Sequence, residues 1–342
     1  MRGHDLDGGQ PHTWTRWRVT AAVLTMVLAA AACTNRGGTQ PPTTSIRTTG
    51  VPVATPYGSS AAPPARNLRG LIAYSTQAGD IWVMHADGSN RRQVTKPRDP
   101  AYDFDPSLSP DGRRVVFRTS RGRYVPDPNG TGVQGIFVID LNGSHERQIQ
   151  PPRGGLFPDW SPDGRRIAFS TLRANGTETI VTTDPDGTHV HDTGVVGGEC
   201  SEWSPDGSRL AYCHHPGNGD FDVWVMDANG SHQRQLTRSR GRDYPGAWSP
   251  DGKRLAFSSQ RSGNFDVFVM NADGSGQHQL THAADQEGPV SWLPDGRIVY
   301  ASSHGDQPLP TWYLINPDGT DIHSLPQLQG AGDPIDWLTP VG

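Results

Sequence analysis

A tryptophan that recurs at a nearly constant interval is the feature that most constrains the fold of this chain. The recurring residues are Trp160, Trp203, Trp248, Trp292 and Trp337, and the intervals between them are 43, 45, 44 and 45 residues. A repeat of about 44 residues has the length of one four-stranded blade of a β-propeller. The interval therefore predicts a ring of similar blades.

One copy of the repeat reads "WSPDGKRLAFSSQRSGNFDVFVMNADGSGQHQLT", residues 248–281. Pro and Gly in "SPDG" are typical of a tight turn, which would join the Trp strand to the "RLAF" strand. The run "FDVFVM" is β-branched and aromatic, as expected for a third strand. The Asp-Gly turn "NADGS" then leads to a polar fourth strand, "QHQLT", at the outer edge. Each copy thus predicts one four-stranded blade.

The two ends of the repeat region are complementary. The first copy, residues 69–95, lacks a Trp strand, whereas the last residues, 333–342, supply a Trp strand and nothing more. Joined, they make one complete blade and close the ring. The sequence thus predicts an all-β, six-bladed β-propeller over residues 69–342, closed by a C-terminal strand that completes blade one. The five unsplit blades are expected to start near Pro106, Pro158, Ser201, Gly246 and Val290.

The first 32 residues have the pattern of an export signal. Arg16 and Arg18 precede an apolar run that is too short to span a bilayer comfortably and that ends in three alanines before Cys33. This ending resembles a bacterial lipobox, which implies that Cys33 becomes the lipidated N-terminus. An ordinary signal peptide cut nearby, or a start codon assigned too early, remains open.

Residues 33–68 are rich in Thr, Pro, Gly and Ser, and their few apolar residues show no period. Such a segment buries too little apolar surface to offset its ordering entropy, so we expect a disordered tether after the lipidated cysteine. Anchor and tether together predict an exported protein held at a membrane and facing the periplasm or the cell exterior.

The repeats resemble those of the TolB-type propeller, which also occurs in prolyl-oligopeptidase-like proteins. The resemblance lies in "WSPDG", "LAFSS", "DVFVMNADGS" and "LT" and covers about 270 residues. It implies the propeller fold. TolB itself has an additional N-terminal α/β domain, and only about 35 low-complexity residues precede the first blade here. We therefore do not extend the whole envelope role of TolB to this chain.

Motifs of catalysis and metal binding are not found in the sequence. It contains no G-x-S-x-G elbow, no H-E-x-x-H and no closely spaced Cys/His cluster. The Asp-Gly turns lack the spaced ligands of a calcium loop, and histidines on the fourth strands follow from the repeat. We expect no catalytic residue, metal or cofactor, although a divalent cation in the tunnel stays open. The net charge of -5 without a basic stripe disfavours nucleic acid.

Five acids stand four or five residues before the Trp position, where the loop leading into each innermost strand would lie beside the axis. They are Asp103, Glu199, Asp243, Glu287 and Asp333. Carboxylates converging on one opening would need a cation or a basic partner. Alternatively, each acid caps a turn. The surrounding loops contribute further candidate binding residues, namely Arg242, Tyr244, Arg261 and Asn264.

Cys200 and Cys213 flank one "SPDG" turn on strands that must pair. A disulfide is chemically feasible in an exported protein, but two buried thiols are the alternative, since a one-residue register shift decides whether the side chains share a face.

The function that fits these observations is non-enzymatic. We expect a monomeric, membrane-tethered binding module whose variable propeller face recognises an envelope protein or ligand, because variable loops on a fixed scaffold carry recognition. The rival is a lyase- or lactonase-type propeller enzyme with a metal in the tunnel.

Overall fold

The computed structural model describes residues 68–96, 101–120, 135–149, 154–215, 220–305, 307, 309–332 and 335–338. The export signal, Cys33, the tether and Asp333 lie outside the described residues. Within them, the architecture is six four-stranded antiparallel sheets, with one short 3-10 helix at Pro326–Leu328. The prediction of an all-β, six-bladed propeller is confirmed.

The first strands are β1 (Leu71–Ser75), β2 (Ile81–His85) and β3 (Arg92–Gln93), all in blade 1. Blade 2 contains β4 (Asp103–Leu108), β5 (Arg114–Thr119), β6 (Gly135–Asp140) and β7 (Arg147–Ile149). Blade 3 contains β8 (Leu156–Trp160), β9 (Ile167–Leu172), β10 (Glu178–Thr183) and β11 (His191–Asp192).

Blade 4 contains β12 (Gly198–Trp203), β13 (Arg209–His214), β14 (Asp222–Asp227) and β15 (Arg234–Gln235). Blade 5 contains β16 (Asp243–Trp248), β17 (Arg254–Ser259), β18 (Asp266–Asn271) and β19 (His278–Gln279). Blade 6 contains β20 (Gln286–Trp292), β21 (Ile298–Ser303), β22 (Thr311–Ile315) and β23 (His323–Ser324). The last strand, β24 (Ile335–Leu338), pairs with β1.

Hydrogen bonds explain why the "SPDG" turn contains these residue types. In blade 5 the Ser249 hydroxyl donates to the Asp251 carboxylate at 2.7 Å and accepts the N–H of Arg254 at 2.8 Å. Gly252 has a φ of +66°, a backbone conformation that glycine adopts without strain. The turn therefore fixes where the innermost strand ends and the second strand begins.

The recurring tryptophans pack between neighbouring blades. Trp248 and Trp292 are only 7% and 6% exposed. The guanidinium carbon of an arginine on the second strand of the preceding blade lies 4.8 Å from each ring centroid, Arg209 over Trp248 and Arg254 over Trp292. The repeat thus supplies both sides of the contact, the Trp from one blade and the Arg from its neighbour.

The ring closes through β24. This strand runs antiparallel to β1, with Ile72 opposite Trp337. The Trp337 indole is 5% exposed and its N–H donates to the carbonyl of Arg69 at 3.2 Å. The C-terminal strand therefore provides the innermost strand of blade 1, as the sequence predicts.

The innermost strands start earlier than the sequence predicts. The expected starts near Pro106, Pro158, Ser201, Gly246 and Val290 are replaced by Asp103, Leu156, Gly198, Asp243 and Gln286. Each of these strands contains a register shift, which lengthens it before the Trp position. Residues expected in loops are therefore strand residues.

Three histidines are also displaced from their predicted position. His145, His189 and His232 precede the fourth strands instead of lying on them, and each adopts a φ near +50°. In each case Nδ1 lies 2.6–2.7 Å from a carboxylate oxygen, of Asp140, Asp184 and Asp227 respectively. Their regular spacing reflects a repeated turn.

Among the described residues, no helix has the length and apolar character needed to cross a bilayer.

Candidate functional site at the central tunnel

The innermost strands of adjacent blades contact one another around the whole ring, in the order β4, β8, β12, β16, β20, β24 and back to β4. Each pairs on one side only, with the second strand of its own blade. The other edge carries backbone N–H groups that need partners, because buried unpaired donors are costly. The side chains that accept hydrogen bonds from these N–H groups line the tunnel.

Side chains one residue before the Trp position bond to the backbone of the next blade. The Asp336 carboxylate accepts the N–H of Leu108 at 2.5 Å. The Asp159 carboxylate accepts the N–H of Trp203 at 3.0 Å and the hydroxyl proton of Ser107 at 3.1 Å. These bonds connect blade 1 to blade 2, blade 3 to blade 4, and blade 2 to blade 3.

Three carboxylates meet at this level of the tunnel, and we call Asp159, Glu202 and Asp336 the tunnel acids. Burial, followed by repulsion from Asp336, raises the pKa of Asp159 to about 7. Burial raises the pKa of Asp336 to about 6. Burial, followed by repulsion from the other two acids, also raises the pKa of Glu202 well above its ordinary value. The tunnel acids therefore favour a proton or another cation.

The tunnel acids are unevenly distributed around the ring. They belong to blades 3, 4 and 1, whereas blades 5 and 6 carry Ala247 and Ser291 at the equivalent position. Each acid lies one residue before the buried Trp, near the end of its strand, and in blades 3 and 4 this end leads into the "SPDG" turn. The acidic side of the tunnel is therefore deeper than the loop-lined opening predicted from the sequence, and towards the opposite face.

The four acids predicted at the opening that the structure describes lie in strands, and three of them are fully buried. Asp103, Asp243 and Glu287 have no exposed surface, whereas Glu199 is partly exposed. Burial raises the pKa of Glu287 to about 7. Burial, followed by the neighbouring Glu178, raises the pKa of Glu199 well above its ordinary value. Asp103, Asp243 and Glu287 therefore do not present carboxylates on a surface loop.

Asp243 has structural partners. Its carboxylate accepts the Ser239 hydroxyl proton at 2.7 Å and lies 3.2 Å from an Arg261 guanidinium nitrogen. That guanidinium also packs over the rings of Phe257 and Phe268, at 5.3 and 4.7 Å. Arg261 is thus held by a buried partner and two aromatic rings.

The other predicted loop residues are also largely engaged within the fold. Tyr244 is 1% exposed, and its ring lies 5.3 Å from that of Phe221 and 5.6 Å from that of Phe265. The Asn264 amide donates to the carbonyl of Ala283 at 2.9 Å. Tyr244 is therefore a core residue and not an exposed anchor, while Arg242 beside it remains partly exposed.

Cys200 and Cys213 form a disulfide in the structure, with their Cα atoms 5.8 Å apart. Cys200 lies at the register shift of β12 with a φ of +48°, and Cys213 lies in β13 opposite Glu199. The bond joins the first two strands of blade 4 near the start of the innermost strand.

A second group of side chains, at the junction of blades 3 and 4, was not predicted from the sequence. Glu178, Glu199 and His215 bring their ligand-type atoms within 4.8 Å of one another. The tunnel acids were not predicted either. The sequence does contain a pattern that could have revealed them, because the residue before the recurring Trp is acidic in three of the five copies. Nothing in the spacing of Glu178 and His215 marks them as neighbours.

Comparison with known proteins agrees with this architecture. A family model described as the TolB beta propeller domain (PD40) matches residues 134–307, about half of the chain. The Tol-Pal system protein TolB of Rhizorhabdus wittichii is 32% identical over 84 residues, which make up 24% of this chain and 17% of that protein. The chain matches less than a third of the length of this relative and of another curated one.

Two solved structures share the fold. TolB from Acinetobacter baumannii aligns with a TM-score of 0.64 and 23% identity, over 79% of this chain and 66% of that one. The tricorn protease aligns with a TM-score of 0.54 and 16% identity, over 75% of this chain and 26% of that one. At these identities the likeness extends to the fold alone.

Proposed function

Because this chain belongs to the TolB β-propeller domain family, we propose that it is a non-enzymatic binding module of the cell envelope, tethered to a membrane through Cys33. Its partner is an envelope protein that inserts a basic segment into the tunnel. The observation that carries the proposal is the convergence of the tunnel acids, Asp159, Glu202 and Asp336. Burial raises the pKa of all three, and repulsion from neighbouring tunnel acids raises the pKa of Asp159 and Glu202 further.

The chemistry of the tunnel favours such a segment. A lysine or arginine side chain near Asp159 and Asp336 would relieve the repulsion between the carboxylates and replace their protons. Charge complementarity of this kind accelerates association and selects against acidic partners. The variable loops at the opposite opening would add specificity, since loops that differ on a repeated scaffold carry recognition.

The name of the relatives that match this chain supports an envelope partner. The matched protein of Rhizorhabdus wittichii is named for the Tol-Pal system. We propose an envelope location from this likeness and from the export-signal pattern of residues 1–32. The sequence motifs of hydrolases are missing, which favours binding over catalysis.

The proposal is tested with a lysine-rich peptide as the probe. We expect the peptide to bind the propeller, with an affinity that falls as salt screens the charges. The double variant D159N/D336N should weaken binding by at least tenfold, because two of the three tunnel carboxylates become neutral. Isothermal titration calorimetry measures both effects.

The matched control is D251N, which changes an exposed turn acid. Its affinity for the peptide should equal that of the unmodified protein. Equal binding by the double variant, or no binding of the peptide by the unmodified protein at low salt, would exclude the tunnel as the binding site.

A further inference from the structure

We propose that Glu178, Glu199 and His215 form a binding site for a divalent transition metal of the zinc class, at the junction of blades 3 and 4. The ligand-type atoms of these side chains all lie within 4.8 Å of one another. His215 Nε2 is 3.7 Å from a carboxylate oxygen of Glu178. The site is separate from the tunnel acids and uses no residue of that group.

The donor set fits such a metal. Imidazole nitrogen and carboxylate oxygen are ordinary zinc ligands, with bonds of about 2.0–2.2 Å. Ligand atoms around a tetrahedral ion at such distances lie roughly 3.3 Å apart, so the site would have to contract by small side-chain rotations. The side chains of Glu178 and His215 are 34% and 36% exposed, which leaves them room to rotate and leaves the metal accessible to water.

Backbone hydrogen bonds connect the segments that carry Glu178 and His215. The N–H of Gly197 donates to the carbonyl of Glu178 at 3.0 Å, and the N–H of His215 points to the carbonyl of Gly197 at 3.5 Å. Gly197 therefore links a ligand of blade 3 to a ligand of blade 4. Its φ is +73°, so a residue with a side chain would be strained there.

The disulfide adds a second constraint. Glu199 is adjacent to Cys200 and lies opposite Cys213 in the pairing of β12 with β13, and His215 is two residues beyond Cys213. The cross-link thus joins the strand that carries Glu199 to the strand that ends directly before His215. The rings of His215 and Phe221 pack in an edge-to-face arrangement, with 5.1 Å between their centroids. Preorganised ligands are what a specific metal site requires.

The repeat does not account for these ligands. At other blade junctions, the residue whose carbonyl accepts an N–H from the start of the next blade is Gly79, Phe221 or Phe265, where this junction has Glu178. The N–H of His215 donates to a carbonyl just before the innermost strand of its blade. The residues that make the equivalent bond are Ser120 in blade 2 and Gln260 in blade 5. A carboxylate and an imidazole therefore occupy positions that hold glycine, phenylalanine, serine or glutamine in these other blades.

A metal bound here would join the two blades and keep a coordination position for water, because three protein ligands leave a four-coordinate ion incomplete. The bound ion would also offset the repulsion between Glu178 and Glu199.

The test is a titration of the purified, metal-stripped protein with Zn²⁺, and separately with Co²⁺, whose visible absorption reports nitrogen and oxygen ligation. We expect one Zn²⁺ per chain. H215Q, which installs the residue of blade 5, and E178Q should each weaken binding by more than roughly tenfold. H304Q is the matched control, since His304 faces Asp285 at another junction, and it should bind Zn²⁺ like the unmodified protein.

Circular dichroism of each variant separates loss of the site from loss of the fold. Stoichiometric binding that is lost in both folded variants and kept in H304Q establishes the site. No stoichiometric binding by the unmodified protein, or unchanged binding by H215Q and E178Q, overturns the proposal.

Discussion

At the scale of single residues, a carboxylate in this propeller is defined by what it contacts. Asp243 is fully buried against Arg261 and Ser239, whereas Asp159 spans two blades and shares its surroundings with two other acids. Removing one partner of a buried ion pair costs about 3–5 kcal/mol, because the other charge stays buried and unpaired. Asp243 therefore contributes to stability, and the tunnel acids oppose it unless they are neutralised.

This opposition predicts a dependence of stability on pH. The pKa of Asp159 is raised to about 7 in the folded protein, against about 3.9 in an unfolded chain. Between these values the folded protein holds a proton that the unfolded chain has lost, so the free energy of unfolding falls as pH rises. The slope is at most about 1.4 kcal/mol per pH unit for one proton. Above pH 7 this contribution is lost.

The variant D159N isolates the effect. Its amide oxygen can still accept the N–H of Trp203, but the side chain does not titrate. The free energy of unfolding of the unmodified protein, measured with urea, should be higher at pH 5 than at pH 7.5. We expect this difference to be smaller in D159N. Equal pH dependence in the two proteins would contradict the raised pKa. The comparison cancels the titrating groups that do not interact with Asp159.

At the scale of strands and turns, the sequence predicted most of what the structure contains. Turn chemistry and the Trp interval determine the number and order of strands, because Pro-Asp-Gly and Asp-Gly turns have few alternatives. The register shifts of the innermost strands were not predictable, since the shifted residues Asp105, Phe157 and Cys200 are not glycines although their φ is near +50°. That irregularity moved Asp103 and its equivalents from loops into strands.

The contribution of a single strand can be measured at the closure. Trp337 on β24 is buried, so W337A should destabilise the propeller by about 3–5 kcal/mol, as expected for a large aromatic side chain in a core. A chain ending at Gly332 should melt at a lower temperature still, because β1 loses one of its two partner strands. Calorimetry or circular dichroism measures both.

W82A is the control for the closure. Trp82 lies on β2 of the same blade and is only partly buried, so its replacement should cost less than that of Trp337. If the chain ending at Gly332 melts at the temperature of the full protein, β24 does not close the ring.

At the scale of the whole molecule, the proposed binding site and the predicted membrane anchor lie in different parts of the chain. The propeller carries the tunnel acids. Its sequence predicted the fold because each blade repeats the same pattern of tryptophan, turns and strands. The group at the junction of blades 3 and 4 could not be predicted, because Glu178 and His215 meet only through the stacking of two blades. The identity of a partner is likewise a property of surfaces and not of the repeat.

Location depends on residues outside the described part of the chain, and its prediction comes from sequence alone. If Cys33 is lipidated, as the lipobox resemblance implies, it anchors the chain to a membrane. C33A should then abolish membrane association, because stable anchoring needs more than one acyl chain and lipobox processing supplies them. Membrane fractionation of expressing cells measures this, and T34A, which leaves the cysteine intact, should stay in the membrane fraction. An unmodified protein found entirely in the medium would show that Cys33 does not anchor it.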